Sequence, residues 1–230
     1  MRWNSKWLWR MVILVIMAGC KNKDEQKEEA ASGDVFFDYR ITGEDGNDSV
    51  TCFFQYRHGG PDGDAVIWPE KGKLVLDEEP LTADSAGLDG SYYEVRKPLN
   101  AFEGNHTILF HMDGKGYKEE FGFHAFGLAT ELPEVINRKP FTIELRGLPE
   151  KTSVRLVLVD TAFLSEDING IYPVRNGQLS ITTDMLSKLS DGPVSLQILW
   201  EDRRRLKSHT AAGGWITRAY SLSREFEIIP

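Results

Sequence analysis

From Val35 onward, apolar and polar residues alternate in runs short enough to be strands. VFFDYRI (35–41) sets Val35, Phe37, Tyr39 and Ile41 on one face and Phe36, Asp38 and Arg40 on the other, the period of a half-buried strand. SVTCFFQY repeats the pattern with Val50, Cys52, Phe54 and Tyr56. GEDGND turns the chain between these two runs, and HGGPDGD (58–64) turns it out again. AVIW, KLVL, SYYEV and NHTILFHM follow, and DGKG (113–116) joins the last of them to YKEEFGF as an expected hairpin. That density of strands over residues 34–127 predicts an antiparallel β-sandwich of immunoglobulin-like type.

GLATELPEVINRKP, with two prolines and little alternation, breaks the pattern, so residues 128–139 read as a linker. A second set of strands opens with FTIEL and continues through VRLVLVD, QLSIT, VSLQILW and a long final strand near Ile216 to Ile229. In TTDMLSKLSDG, Thr183 is placed to cap a short helix that turns Met185, Leu186 and Leu189 inward and ends at Gly192. The fold class expected is therefore all-β, with two antiparallel immunoglobulin-like β-sandwich domains at 34–127 and 140–230. Each stretch is long enough to fill a core of its own.

The first 33 residues follow another logic. Arg2, Lys6 and Arg10 precede an apolar core from Met11 to Ala18, the outline of a secretory signal and too short to span a bilayer as a helix. Met17-Ala18-Gly19-Cys20 resembles the lipobox of bacterial lipoproteins, with Met where that family usually has Leu. The resemblance implies cleavage between Gly19 and Cys20 and lipidation of Cys20. Several acyl chains on one residue would give a stable anchor, since each buried methylene contributes about 0.8 kcal/mol. KNKDEQKEEAASG after it has no large apolar side chain and reads as a solvated tether over 20–33. Lys23-Asp24-Glu25 resembles the export signal of surface lipoproteins of Bacteroidota, and a plain periplasmic spacer would have the same composition. Lys21 resembles outer-membrane sorting. GSYYEVRKPLNAFEGNHTILFHMDGKGYKEEFGF looks like the closing strands of small β-sandwich domains in such lipoproteins, which implies a two-domain cell-envelope β-protein. The localisation expected is the outer membrane, on its cell-surface or periplasmic side.

The whole chain has 27 basic and 35 acidic residues. Removing the signal takes away three of the basic residues and no acid, leaving 24 against 35, a charge of −11. That sign disfavours nucleic acid as a partner. Past Cys20 the one cysteine is Cys52, which reads as a small core residue and cannot form an intramolecular disulfide.

Catalytic signatures are missing: the sequence has no G-x-S-x-G, P-loop, H-E-x-x-H or C-x-x-C. His58, with Gly59 and Gly60, stands in a turn, and His106 and His111 are five apart on one strand, on opposite faces. Asp45, Asn47 and Asp48, Asp62 and Asp64, and Asp160, Glu166, Asp167 and Asn169 form acidic loops without EF-hand spacing. The expectation is therefore no catalytic residues, no metal and no cofactor.

Among the tryptophans, Trp200 falls on a core stripe with Val194, Leu196 and Ile198, while Trp68-Pro69 reads as a strand end at the rim. Trp215 follows two glycines and alternates away from Ile216 and Tyr220. Arg203, Arg204, Arg205 and Lys207 precede it as an expected basic loop, so the five residues form the candidate binding site, an anion or glycan contact near a hairpin tip. The function expected is a lipid-anchored, non-catalytic binding or assembly module with the membrane and a glycan or envelope protein as partners. A glycan-active accessory enzyme, with two carboxylates converging in a cleft, and a structural subunit of a surface complex are the alternatives.

Overall fold

The computed structural model describes residues 34–66, 73–85, 90–160 and 167–230. Cys20, the tether and Trp68 lie outside them, as does Glu166. The described chain is all-β, a pair of β-sandwiches with one short helix.

The first sandwich is built from β1 (Val35–Glu44), β2 (Ser49–His58), β3 (Lys73–Leu76), β4 (Glu79–Leu81), β5 (Asp84–Ser85), β6 (Ser91–Pro98), β7 (Gly104–Met112) and β8 (Lys115–Phe123). One sheet runs β5-β6-β2-β1 and faces another ordered β4-β3-β7-β8. With strands lettered in chain order these are the D-E-B-A and C′-C-F-G sheets of an immunoglobulin-like sandwich. The alternation explains the pairing: Val35, Phe37, Tyr39, Ile41, Val50, Cys52, Phe54 and Tyr56 are all buried. Phe37 meets Tyr56, Phe110 and Tyr117 edge-on, with ring centroids 5.1–5.5 Å apart, the arrangement that aligns a positive ring edge with a negative face. Burial pushes the Cys52 thiol up to about 12, so it stays protonated at neutral pH and packs as a hydrophobe. The expected DGKG hairpin forms, with Asp113 and Gly114 both at positive φ as a two-residue primed turn requires.

The second sandwich comprises β9 (Gly127–Leu128), β10 (Val135–Asn137), β11 (Phe141–Arg146), β12 (Lys151–Asp160), β13 (Ile168–Arg175), β14 (Gln178–Ile181), helix α1 (Thr183–Ser187), β15 (Gly192–Thr210) and β16 (Gly213–Ile229). β14-β11-β9 form one side, and β13-β12-β15-β16 with β10 the other. Residues 128–139, expected as a linker, contain β10, whose three residues pair in parallel with Glu227 to Ile229 of β16. Three residues between prolines are too few to show a period. The helix cap is Thr182 rather than Thr183: its Oγ1 accepts the Met185 N–H at 3.3 Å. Leu186 and Leu189 are buried as expected, and Gly192 opens β15.

β15 and β16, of 19 and 17 residues, outrun the sandwich they belong to. Their far half is an arm lying across the open side of the first sandwich. β16 pairs in parallel with β1 from Phe37↔Gly214 to Glu44↔Ser221, so the first sheet continues into β16 and β15. Leu206 and Ile216 join the buried core from the arm's inner side. Arg204 and Arg218 donate to the main-chain carbonyls of Glu120 and Gly122 on the outer edge of β8. On the arm's side of the first sandwich both edge strands are thus covered, β1 by a ladder and β8 by guanidinium groups.

Close approach along the ladder depends on Gly214. A Cβ there would lie 2.6 Å from Leu206 Cδ1 and 2.9 Å from the Phe37 carbonyl oxygen. Gly214→Val is expected to destabilise the protein by about 1–3 kcal/mol through overpacking against the backbone, read from the midpoint of urea unfolding at unchanged slope.

Candidate binding site on the outer face of the first sheet

Arg203, Arg204 and Arg205 lie in β15 and not in a loop, because the alternation of the arm carries on past Trp200. A strand sends successive side chains to opposite faces, so the three arginines part company. Arg203 and Arg205 stand exposed on the outer face, while Arg204 turns inward with buried Leu206. Arg205 is paired across the ladder with Trp215 and Arg203 with Thr217. The guanidinium carbons of Arg203 and Arg205 lie 4.8 and 5.4 Å from the centre of the Trp215 ring, within cation–π range. Trp215 itself is half-buried.

The same face runs on across β1, β2 and β6. Trp215 is opposite Asp38 and Thr217 opposite Arg40, and the rows continue to Gln55 and Tyr92 and to Phe53 and Glu94. Asp38, Glu94 and Glu201 are the acids of this face, and Asp38 is neutralised in place: Arg40 binds it at 2.5 Å and Arg57 approaches at 4.0 Å. Arg57 also donates to Gln55 Oε1 and to the Gly63 carbonyl. Phe53 and Tyr92 are stacked at 5.3 Å and 26°, with the Arg40 guanidinium 5.8 Å from the Phe53 centroid. Arg203 and Arg205 have no carboxylate partner among the described residues. The structure therefore brings Arg203, Arg205 and Trp215 together, as the sequence suggested, and adds Arg40, Phe53 and Tyr92, which belong to strands far away in sequence.

Arg204 has a different employment. Its Nη1 is 2.8 Å from Oε1 of Glu119, which is 1% exposed, and the Lys207 N–H donates to the other carboxylate oxygen at 2.6 Å. The Lys207 side chain is exposed, and the position's contact with Glu119 is through its main chain. Glu119 shares an apolar face with Tyr117, Phe121 and Phe123, a pattern visible in YKEEFGF, and it locks the arm onto β8. A buried carboxylate is tolerable there because a cation and a main-chain donor both serve it.

Most of the remaining sequence candidates are engaged within the fold. Trp200 is 9% exposed and donates its ring N–H to Thr152 Oγ1 at 3.1 Å. His58 opens a tight turn, its N–H bonded to the Asp64 carbonyl. His106 is buried against Phe102, at 3.8 Å, and bonded to Asp77 and the Phe102 carbonyl, while His111 is exposed on the opposite face. Asp45 pairs with Arg224 at 2.7 Å, Asn169 accepts from Arg155, and buried Asp160 accepts the Ser190 N–H. Among the described residues, no three His, Cys, Asp or Glu side chains converge as a metal site would need.

No family model and no curated protein match the chain. Solved structures similar to it include a two-domain immunoglobulin fragment of DIP-gamma at 10% identity and TM-score 0.25, covering 87% of this chain and 100% of that one. A tandem of titin immunoglobulin domains is similar at 9% identity and TM-score 0.23, covering 85% and 96% of the two chains. A three-domain titin fragment is similar at 14% identity and TM-score 0.27, over 86% of this chain and 66% of the other.

The split of the three arginines gives an outcome that strand parity alone dictates. Arg204→Ala leaves the Glu119 carboxylate buried without its cation and is expected to cost on the order of 2 kcal/mol, discounted for the partial exposure of Arg204. Arg203→Ala and Arg205→Ala each remove an exposed cation–π contact and are expected to cost no more than about 1 kcal/mol. Chemical unfolding of the three variants side by side checks the order; equal losses would place all three on one face.

Proposed function

We propose that the chain is a lipid-anchored, non-catalytic binding module of the bacterial outer membrane, of the Bacteroidota lipoprotein type. In this reading Cys20 carries the acyl anchor, residues 20–33 are the tether, and the sandwich face around Trp215 makes the contact with an envelope glycan or protein. The observation that carries the contact is Trp215 with two guanidinium groups over its ring on an open sheet face, neither taken up by a carboxylate. Among the described residues neither arginine is in an ion pair, although exposed Glu201 shares their face two residues before Arg203 on β15.

The anchor is supported by the sequence around Cys20: a basic start, a short apolar core, small residues and then charge, all in the order a lipoprotein peptidase uses. Fourteen tether residues reach at most about 50 Å when extended. The tether enters the fold at β1 beside the arm's tip, where Thr210 Oγ1 donates to the Val35 carbonyl at 2.5 Å. The candidate face is thus held near the end from which the tether leaves.

Two variants separate anchor from contact. Cys20→Ser is expected to abolish palmitate labelling and move the protein from the membrane pellet to the soluble fraction. Trp215→Ala is expected to leave labelling unchanged and to weaken binding to an envelope polysaccharide or protein extract. Persistent labelling of the Cys20 variant defeats the anchor; undiminished binding by the Trp215 variant defeats the contact.

A further inference from the structure

We infer that the ligand of this face is an acidic polysaccharide, its carboxylate or sulfate groups held by Arg203 and Arg205; the inference rests on the reading of the Trp215 face as a binding surface.

Sugar-binding platforms of neutral glycans need an aromatic face open for a pyranose ring to lie against. Here the Trp215 ring is half-buried and lies beneath the two guanidinium groups at 4.8 and 5.4 Å, so the outermost chemistry of the site is cationic rather than aromatic. The indole holds the planar groups in place and limits the rotamer entropy lost when they bind. A guanidinium fixed in this way presents a two-pronged donor edge that matches the paired oxygens of a carboxylate or sulfate. Arg203 and Arg205 are two residues apart on one strand, so they present two such forks side by side. One acid group per fork fits a chain that repeats its charge, which a single small anion does not.

The neighbouring rows favour an extended ligand. From β15 to β6 the face crosses five strands, about 19 Å at the usual strand spacing. Beyond Arg205 and Trp215 come Asp38 neutralised by Arg40, then the stacked Phe53–Tyr92 pair. A polar chain laid across the strands would meet cations first, then a neutral pair, then an aromatic surface, with exposed Glu94 at the far end where the acid groups would stop. A lipid bilayer fits less well, since aromatic side chains that anchor to one protrude into it, whereas Trp215, Phe53 and Tyr92 are all half-buried.

The test uses the purified full-length chain in affinity gels containing polygalacturonate, dextran sulfate or neutral dextran, with phosphatidylglycerol vesicles as a separate arm. Retardation by either acidic polymer and not by dextran is expected. Arg203→Ala with Arg205→Ala should weaken it at least tenfold, and the double Arg→Lys variant about threefold, because lysine keeps the charge and loses the fork. Thermal unfolding of each variant checks that it is folded, and the lysine pair keeps the test open if the alanine pair is not. Equal retardation by dextran, indifference to both double substitutions, or binding to vesicles alone would overturn the inference. Retardation by dextran that Trp215→Ala abolishes would overturn the acidic ligand while leaving the binding face in place.

Discussion

The parallel ladder between β1 and β16 is the contact on which the rest of the molecule depends. Eight residue pairs join the first strand of one sandwich to the last strand of the other. Each hydrogen bond in such a ladder contributes about 1 kcal/mol net, and leaving its groups buried without partners would cost more. The ladder is possible because β16 and its partner β15 continue beyond their own sandwich, and because Gly214 lets the backbones meet beside Leu206. Two immunoglobulin-like units joined in this way share a sheet, which a linker alone would not give them.

From that ladder follows the placement of charge. The arm has an inner and an outer side, and strand parity assigns each arginine to one of them. Arg204 and Arg218 face inward and satisfy the carbonyls of β8, with Glu119 and Asp202 as their carboxylate partners. Arg203 and Arg205 face outward and remain available. Their position relative to Asp38, Arg40 and Phe53 is set by the β1 register, so the candidate site is a property of the pairing between the sandwiches and would disperse if the arm came away.

Much of this was written in the alternation of the chain. The face of β1 and β2 that fills the core, the hairpin at Asp113 and Gly114, and the outward turn of Trp215 all follow from a period of two. What alternation does not encode is partnership between distant strands. Nothing in GGWITRAY says that its neighbour is VFFDYRI, and the parallel pairing places Trp215 beside Asp38 across 177 positions. The three consecutive arginines looked like a loop because three charges in a row hide the alternation that continues beneath them. Glu119 was legible as an acid on an apolar face, but its partner Arg204 was not, since the two are joined through the arm.

Residue-resolved amide hydrogen exchange along β15 and β16 tests the shared sheet most directly, because exchange reads the local free energy of opening. If the arm is laddered to β1, amides of residues 214–221 exchange as slowly as those of 222–228, which lie within the second sandwich, and β1 amides from 37 to 44 are protected in step. Fast exchange confined to the arm and to the outer edge of β1, with the remainder of β16 protected, would contradict the account.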